Sequence, residues 1–138
     1  MWQDDRPMSI LLVDDEEHIR KTVRRFMMME GWDVHIAANG HEALSKLAQH
    51  DFRVVVLDIR MPVINGFEVL GEIKTRYLET VVIILSGVAD IEAAQTEALA
   101  KGATSFLTKP CKLASLLGTI REALEAQHAQ RNREAVDI

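Results

Sequence analysis

The stretch Ile10–Glu17, ILLVDDEE, joins four apolar residues directly to four acidic residues. Its apolar half has the length and composition of a short buried β-strand. Its acidic half falls where that strand would end, although carboxylates that converge in one place repel one another. We therefore expect the end of this strand to carry a function, and the ends of the other strands need the same attention.

Short apolar runs alternate with longer segments of helical periodicity along the chain. Five runs have the character of strands, and the third and fourth are rich enough in Val and Ile to be buried on both faces. The predicted strands are 10–13, 34–38, 52–57, 81–85 and 105–107. The predicted helices are a first one that ends at Gly31, then 42–50, 67–77, 90–101 and 112 to about 127. This alternation predicts an α/β fold, a (βα)5 doubly wound open parallel sheet with helices on both faces.

Length and composition limit the classes of protein to which the chain can belong. A chain of 138 residues with 48% hydrophobic and 27% charged residues is typical of one soluble globular domain. A net charge of -5 and scattered basic residues argue against nucleic-acid binding. No apolar run approaches the ~20 residues that span a bilayer, the chain start lacks the pattern of a signal peptide, and Cys111 is a single cysteine. We expect a cytoplasmic protein that does not associate with membranes.

Polar residues follow four of the five predicted strands. In order along the chain they are Asp14 and Asp15, then Asp58, then Ser86 and Gly87, then Thr108, Lys109 and Pro110. In open parallel sheets, ligands bind beyond the carboxyl ends of the strands, where the strand order reverses. The second strand, followed by Ala38 and Asn39, has the character of an edge strand. Oxygen ligands without His or Cys favour Mg²⁺, which takes one or two carboxylates and adds phosphate oxygens.

The basic and hydroxyl groups of this set suit phosphoryl chemistry. Lys109 supplies a positive charge and Ser86 a hydroxyl donor, and both can hold a phosphoryl group. A carboxylate can itself accept phosphate, with a metal and a lysine stabilising the transition state. Each residue alone is weakly specific, since an acid at a strand end is as often a helix cap or a turn residue. The joint order of DD, D, SG and KP is specific.

This order of motifs resembles the receiver (CheY-like) domain of two-component response regulators, from about residue 9 to about residue 126. The matching segments are ILLVDDEEHIR, VVVLDIRMPVINGFEVL, VVIILSGVADIEAA and GATSFLTKP. The resemblance implies the flavodoxin-like strand order 2-1-3-4-5. It also divides the chain into an N-terminal extension at 1–8, a receiver domain at 9–127 and a polar C-terminal tail or linker stub at 128–138.

The resemblance assigns a metal site to the acidic residues. Mg²⁺ would be the cofactor, bound directly by Asp15 and Asp58 and mainly through a water by Asp14. The backbone carbonyl of Arg60 would complete the protein ligands. Glu16 and the residue after it fall outside this set, at the start of the first helix, where negative charge favours the helix dipole by about 0.3–1 kcal/mol.

The resemblance also assigns the phosphoryl chemistry. Asp58 would be the phosphoacceptor, Ser86 would donate a hydrogen bond to one phosphoryl oxygen, and Lys109 would pair with another. The peptide bond between Lys109 and Pro110 would be cis, which is a minority state for X-Pro bonds.

Switching would depend on two further residues. After phosphorylation Ser86 would move toward the phosphoryl group, and the ring of Phe106 would turn inward into the vacated space. Phe106 without a hydroxyl can act only through packing, and an ordinary core aromatic is the alternative interpretation. Arg60 and Val88 occupy the two variable positions that the family associates with the lifetime of the acyl phosphate.

The implied function is a phosphorylation-activated signalling switch and not an enzyme with an external substrate. A sensor histidine kinase or a histidine phosphotransfer protein would donate to Asp58, and the domain would catalyse only its own phosphorylation and dephosphorylation. Its partner would be a downstream target protein or a fused output domain. A phosphorylation-dependent dimer through the fourth helix, fifth strand and fifth helix is a further expectation, although ATSFLTKPC lacks the paired acids of receivers that dimerise through a charged face.

Two alternative functions belong to other classes. A haloacid-dehalogenase-like phosphatase also uses Asp, Lys and Mg²⁺, but its second acid, two residues after the nucleophile, is replaced here by Arg60. A receiver-like module that binds partners without being phosphorylated would have lost the acidic pair or the lysine, and this chain retains both.

Overall fold

Five parallel strands form the centre of the structure, a computed structural model that describes residues 8–60, 64–87 and 91–136. The strands are β1 Ser9–Val13, β2 Asp33–Ala37, β3 Val54–Leu57, β4 Val81–Ser86 and β5 Ser105–Thr108. They are hydrogen-bonded in the order β2-β1-β3-β4-β5, and each neighbouring pair is parallel. This order confirms the predicted doubly wound α/β fold.

A helix follows each strand within the described ranges. The helices are α1 Glu17–Met28, α2 Gly40–Gln49, α3 Gly66–Arg76, α4 Ile91–Ala100 and α5 Leu113–Val136. The side chains of Asn39 and Asn65 cap α2 and α3, each accepting the main-chain N–H three residues later at 2.9 and 3.1 Å. Gly31 and Gly102 have φ values of 85° and 102°, as left-handed residues after α1 and α4. The predicted stop at Gly31 is therefore confirmed, and the predicted start of the fourth helix at 90 lies outside the described residues.

The last helix is longer than the sequence pattern predicts. The apolar stripe ends at Leu124 and led us to end the helix near residue 127, but α5 continues to Val136. The added residues are rich in Ala, Gln, Arg and Glu, which have high helix propensity. Gln127 also connects α5 to the segments that precede β3 and β4. Its side chain accepts a hydrogen bond from Arg53 Nε at 3.3 Å and donates one to the carbonyl of Glu79. The predicted polar tail is thus helical as far as 136.

The two faces of the sheet bury separate apolar clusters, because successive residues of a strand point to opposite sides. Leu11 and Val13 of β1 pack with buried residues of α2, α3 and α4, whereas Ile10 and Leu12 pack with buried residues of α1 and α5. Every residue of β3 and β4 is buried, as their Val and Ile content predicts. Rigid packing on both faces holds the carboxyl ends of the central strands in place.

The start of α3 lies against the backbone that follows β3. A Cβ atom on Gly66 would lie 2.5 Å from the carbonyl oxygen of Asp58 and 2.5 Å from Cα of Ile59. The main-chain N–H of Gly66 also donates to the carbonyl of Ile59 at 2.8 Å. Only glycine therefore permits this approach, and it sets the distance between α3 and Asp58.

The close approach predicts opposite effects for two substitutions in the same helix. Gly66→Ala should lower the free energy of unfolding by about 1–3 kcal/mol, because the methyl group would overlap backbone atoms. Gly71→Ala, where the added Cβ has no atom within 4 Å, should raise it by about 0.5–1 kcal/mol through the helix propensity of Ala. Urea denaturation of both variants measures the effect. An unchanged stability of Gly66→Ala would contradict the close packing of α3 against Asp58.

Candidate functional site

The candidate site lies at the carboxyl end of the sheet, just beyond β1, β3 and β5. The main-chain N–H groups of Asp14, Asp58 and Lys109 each donate to a carbonyl of the neighbouring strand, at 3.1, 2.9 and 2.8 Å. Each residue is therefore held by the sheet's hydrogen-bond ladder although its own strand has ended. The topology brings together three side chains that are far apart in the sequence.

The ammonium group of Lys109 connects the two buried carboxylates of the site. Its Nζ lies 2.6 Å from Oδ2 of Asp14 and 3.1 Å from Oδ2 of Asp58, and both contacts are hydrogen bonds. The side chains of Asp14 and Asp58 are only 1% and 6% exposed, so water screens this arrangement poorly. Glu16 is further away, with Oε1 at 3.7 Å from the same nitrogen. The lysine thus acts as the counter-cation of two buried acids.

The protonation equilibria of the site reflect this burial. Burial raises the pKa of Asp58, and the effect is opposed by Lys109 and by the N–H of Arg60, which donates to Oδ1 at 3.0 Å. For Lys109, burial acts to lower the pKa, but the bonds and charges of Asp14 and Asp58 outweigh it, and the pKa is raised. Lys109 therefore stays charged, and an additional cation at the site would favour the ionised form of Asp58.

Every acceptor of Asp14 is engaged within the protein. Oδ1 accepts the main-chain N–H of Glu16 at 2.9 Å, Oδ2 accepts from Lys109, and the carbonyl oxygen accepts from Nη1 of Arg20 at 2.7 Å. Asp14 is buried, whereas its neighbour Asp15 is exposed. The two adjacent acids therefore differ, with one fixed carboxylate and one at the surface.

A group of acids suited to a metal ion is formed by Asp14, Asp15 and Glu16. One carboxylate oxygen from each lies within 4.8 Å of the others. This donor set consists of oxygen atoms alone, which suits a hard divalent cation such as Mg²⁺. The residues of the candidate site therefore fit the metal that the sequence implies.

The sequence interpretation placed Glu16 outside the metal ligands and gave it only a secondary part in the field that attracts Mg²⁺. Glu16 lies at the N-cap of α1, where we placed it, but its carboxylate also joins the two aspartates. The next residue, Glu17, instead pairs with Lys21 at 2.9 Å, and the hydrogen bond to this lysine lowers the pKa of Glu17. The acidic run therefore divides into three acids at the site and one in the helix, where we expected two and two. The position of Glu16 directly after the two aspartates was the sequence signal that could have indicated its place at the site.

The other residues that the sequence predicts for the site differ in burial and in their contacts. Ser86 is fully buried at the end of β4, and its carbonyl accepts the N–H of Lys109. Phe106 is half-buried and packs against the core cluster on the α2–α4 face. Arg60 is exposed, with its N–H on Asp58. Val88 lies outside the described residues. The bond between Lys109 and Pro110 is cis, as expected.

The sequence match to a known family agrees with this geometry. Residues 10–121 match the family described as response regulator receiver domain. The chain belongs to this family. Regulatory protein AtoC of Escherichia coli (strain K12) is 35% identical over 122 residues, which are 88% of this chain and 26% of AtoC. Transcriptional regulatory protein TrcR of Mycobacterium tuberculosis (strain ATCC 25618 / H37Rv) is 33% identical over 129 residues, 93% of this chain and 50% of TrcR.

The receiver domain also resembles solved structures of the family. A CheY-like response regulator receiver domain protein from Methanospirillum hungatei JF-1 superposes with a TM-score of 0.84 at 31% identity, over 91% of this chain and 99% of that one. The domain spans half or less of the length of AtoC and TrcR. Among the described residues, no helix combines the length and the apolar character needed to cross a membrane.

Membership establishes the function of the domain. Receiver domains are regulatory domains, and this one is a phosphorylation-activated signalling switch. Neither a haloacid-dehalogenase-like phosphatase nor an unphosphorylated binding module is favoured by this membership.

The burial of Asp58 predicts how stability depends on pH in the absence of metal. Because its pKa is raised in the folded state, the ionised form is disfavoured by folding, and stability falls as pH rises through this pKa. Asp58→Asn removes the charge and should raise the urea midpoint at pH 8 in EDTA. The gain should shrink as the pH falls through the raised pKa of Asp58, because the wild-type carboxyl then becomes protonated. Asp51→Asn, which changes an exposed carboxyl, is the control and should shift the midpoint little. A lower midpoint for Asp58→Asn at pH 8 would contradict the burial argument.

Proposed function

We propose that Asp58 is the phosphoacceptor of this receiver domain and that Lys109 is the cation that stabilises the transferred group. The proposal rests on one observation, the ammonium of Lys109 held between Asp14 and Asp58 at 2.6 and 3.1 Å. An amine at this distance from the Asp58 carboxylate can also reach an oxygen of a phosphoryl group attached to it. Burial raises the pKa of Asp58, and the adjacent ammonium of Lys109 supplies positive charge against the negative charge that a phosphoryl group would add.

Mg²⁺ is the proposed cofactor, held by Asp15 and Asp58 directly, by Asp14 mainly through a water, and by the carbonyl of Arg60. Both carboxylate oxygens of Asp14 already accept a hydrogen bond from an N–H donor, which supports the water-mediated role because fewer lone pairs remain for a metal. The exposure of Asp15 supports a direct one. When bound, the metal supplies positive charge against the phosphoryl oxygens. Glu16 adds a fourth carboxylate to the attraction of the cation.

The proposed reaction transfers a phosphoryl group from a phosphohistidine. A carboxylate oxygen of Asp58 attacks phosphorus, a P–O bond forms and the P–N bond breaks. The electron pair of that bond returns to the imidazole, which leaves as a neutral ring if its other nitrogen carries a proton. Lys109 and the hydroxyl of Ser86 hold two phosphoryl oxygens. Hydrolysis by water regenerates Asp58, so the domain turns over only its own phosphoryl group.

The proposed switch passes from Ser86 to Phe106. Ser86 ends β4 and Phe106 lies on the adjacent strand β5, so movement of one can open space for the other. Phe106 is half-buried, so its side chain is still partly accessible to solvent before any inward turn. Arg60 is proposed to affect the lifetime of the phosphoryl group, which its exposed side chain beside Asp58 supports. Val88 has the same proposed role by family position alone.

The proposed partners follow from the family. A sensor histidine kinase or a histidine phosphotransfer protein donates the phosphoryl group, and a target protein or a fused output domain receives the signal. A fused output domain is supported by the length of AtoC and TrcR, of which the chain spans 26% and 50%. We place the receiver domain at 9–127, after an extension at 1–8 and before a polar tail or linker at 128–138, in a cytoplasmic protein.

A phosphorylation-dependent dimer is proposed through α4, β5 and α5. The exposed apolar side chains of Ile91 and Leu99, 40% and 45% exposed on α4, support an interface there. Packing would then contribute more to this dimer than charge pairing.

Intact-mass spectrometry with a small acyl-phosphate donor tests the proposed acceptor. Wild type with Mg²⁺ should gain one phosphoryl group, and wild type in EDTA should gain little, because the metal is needed against the phosphoryl charge. Asp58→Asn should gain none, whereas Asp51→Asn, with an exposed carboxyl, should be labelled like wild type. Labelling of Asp58→Asn at the wild-type level would show that the acceptor is another residue.

A further inference from the structure

Arg20 of α1 makes a contact with the site that the roles assigned above do not use. Its Nη1 donates to the carbonyl oxygen of Asp14 at 2.7 Å, and its side chain is half-buried. Its own main-chain N–H donates to the carbonyl of Glu16 at 3.1 Å, in the first turn of the helix. The backbone of Arg20 thus belongs to the first turn of α1, and its side chain joins this helix to the residue that follows β1.

The hydrogen bond from Arg20 to the Asp14 carbonyl takes the place of a bond that the sheet no longer supplies. Asp14 is the residue after β1, and its N–H still donates to the carbonyl of Ala37 in β2. On its other side, the carbonyl of Asp14 is satisfied by the guanidinium of Arg20. A buried carbonyl needs such a partner, because an unpaired one is costly. Arg20 thus completes the hydrogen bonding at the point where the chain leaves the sheet.

This contact controls the direction of the next residue. The carbonyl of Asp14 and the N–H of Asp15 belong to one planar peptide group. A donor that fixes the oxygen of that group also fixes the direction in which Asp15 leaves the strand. Because the guanidinium bonds a neutral main-chain oxygen, it orients the backbone without occupying a carboxylate oxygen that a cation would need.

We infer that Arg20 is a positioning residue for the Mg²⁺ site: its bond to the Asp14 carbonyl orients the peptide that carries Asp15. This inference rests on the proposed function, in which Asp15 is a direct ligand. Partners that orient metal ligands typically change metal affinity by about 10–100-fold when they are removed.

The direction in which Mg²⁺ affinity changes when Arg20 is replaced distinguishes a positioning role from a purely electrostatic one. Removal of a positive charge near an acidic site should, by Coulomb's law alone, tighten the binding of a cation. Loss of positioning should weaken it. The two effects therefore predict opposite changes in the Mg²⁺ dissociation constant for the same substitution.

Calorimetric titration of the metal-free protein with Mg²⁺ tests the inference. Arg20→Met should raise the dissociation constant about tenfold. Arg24→Met, which removes the same charge from an exposed position one turn further along α1, should leave it unchanged or lower it slightly. An unchanged or lower constant for Arg20→Met, or an equal increase in both variants, would overturn the inference. If Arg20→Met does not fold, Arg20→Gln takes its place with the same deciding outcomes.

Amide hydrogen exchange in the absence of Mg²⁺ gives a second measurement. The N–H of Glu16, bonded to Oδ1 of Asp14, should exchange faster in Arg20→Met, whereas the N–H of Asp58 in the sheet ladder should not change. Equal acceleration at both sites would indicate general destabilisation and overturn a positioning role. If wild type takes up no phosphoryl group at Asp58, the proposed function fails, but Mg²⁺ titration still reports on Arg20.

Discussion

The ammonium of Lys109, shared between the carboxylates of Asp14 and Asp58, is the interaction on which the site depends. Two acids buried in one crevice repel each other, and loss of the partner from a buried ion pair typically costs about 3–5 kcal/mol. The lysine lies 95 and 51 residues away from these acids along the chain. The fold must therefore bring β1, β3 and β5 together before the charges can balance.

The sheet supplies the rigidity that this balance requires. β3 and β4 are buried at every position, and main-chain bonds to neighbouring strands hold Asp14, Asp58 and Lys109 just beyond their own strands. Gly66 then brings α3 within contact of the Asp58 backbone. Packing on both faces of the sheet thus keeps the three side chains of the site close together.

Much of the fold could be predicted from periodicity and strand-end residues. Apolar runs of strand length set the five strands to within two residues, and the fold class followed from their alternation with helices. The end of α5 could not be predicted in this way, because its last turns have helix propensity but no apolar stripe. The proximity of Glu16 to the two aspartates was not predicted either, since a sequence assigns a residue to a helix start without showing where its carboxylate lies.

The sequence by itself determined the fold class and singled out the candidate site residues, because hydrophobic periodicity places strand ends and the residue types there allow few functions. It thereby determined the α/β class, the acidic pair, Asp58 and Lys109. Only the tertiary structure decided how these charges are shared: that Lys109 contacts both buried acids, that Glu16 joins the acidic group, and that Arg20 holds the Asp14 carbonyl. These depend on distances between elements, and such distances arise from packing that local sequence patterns do not encode.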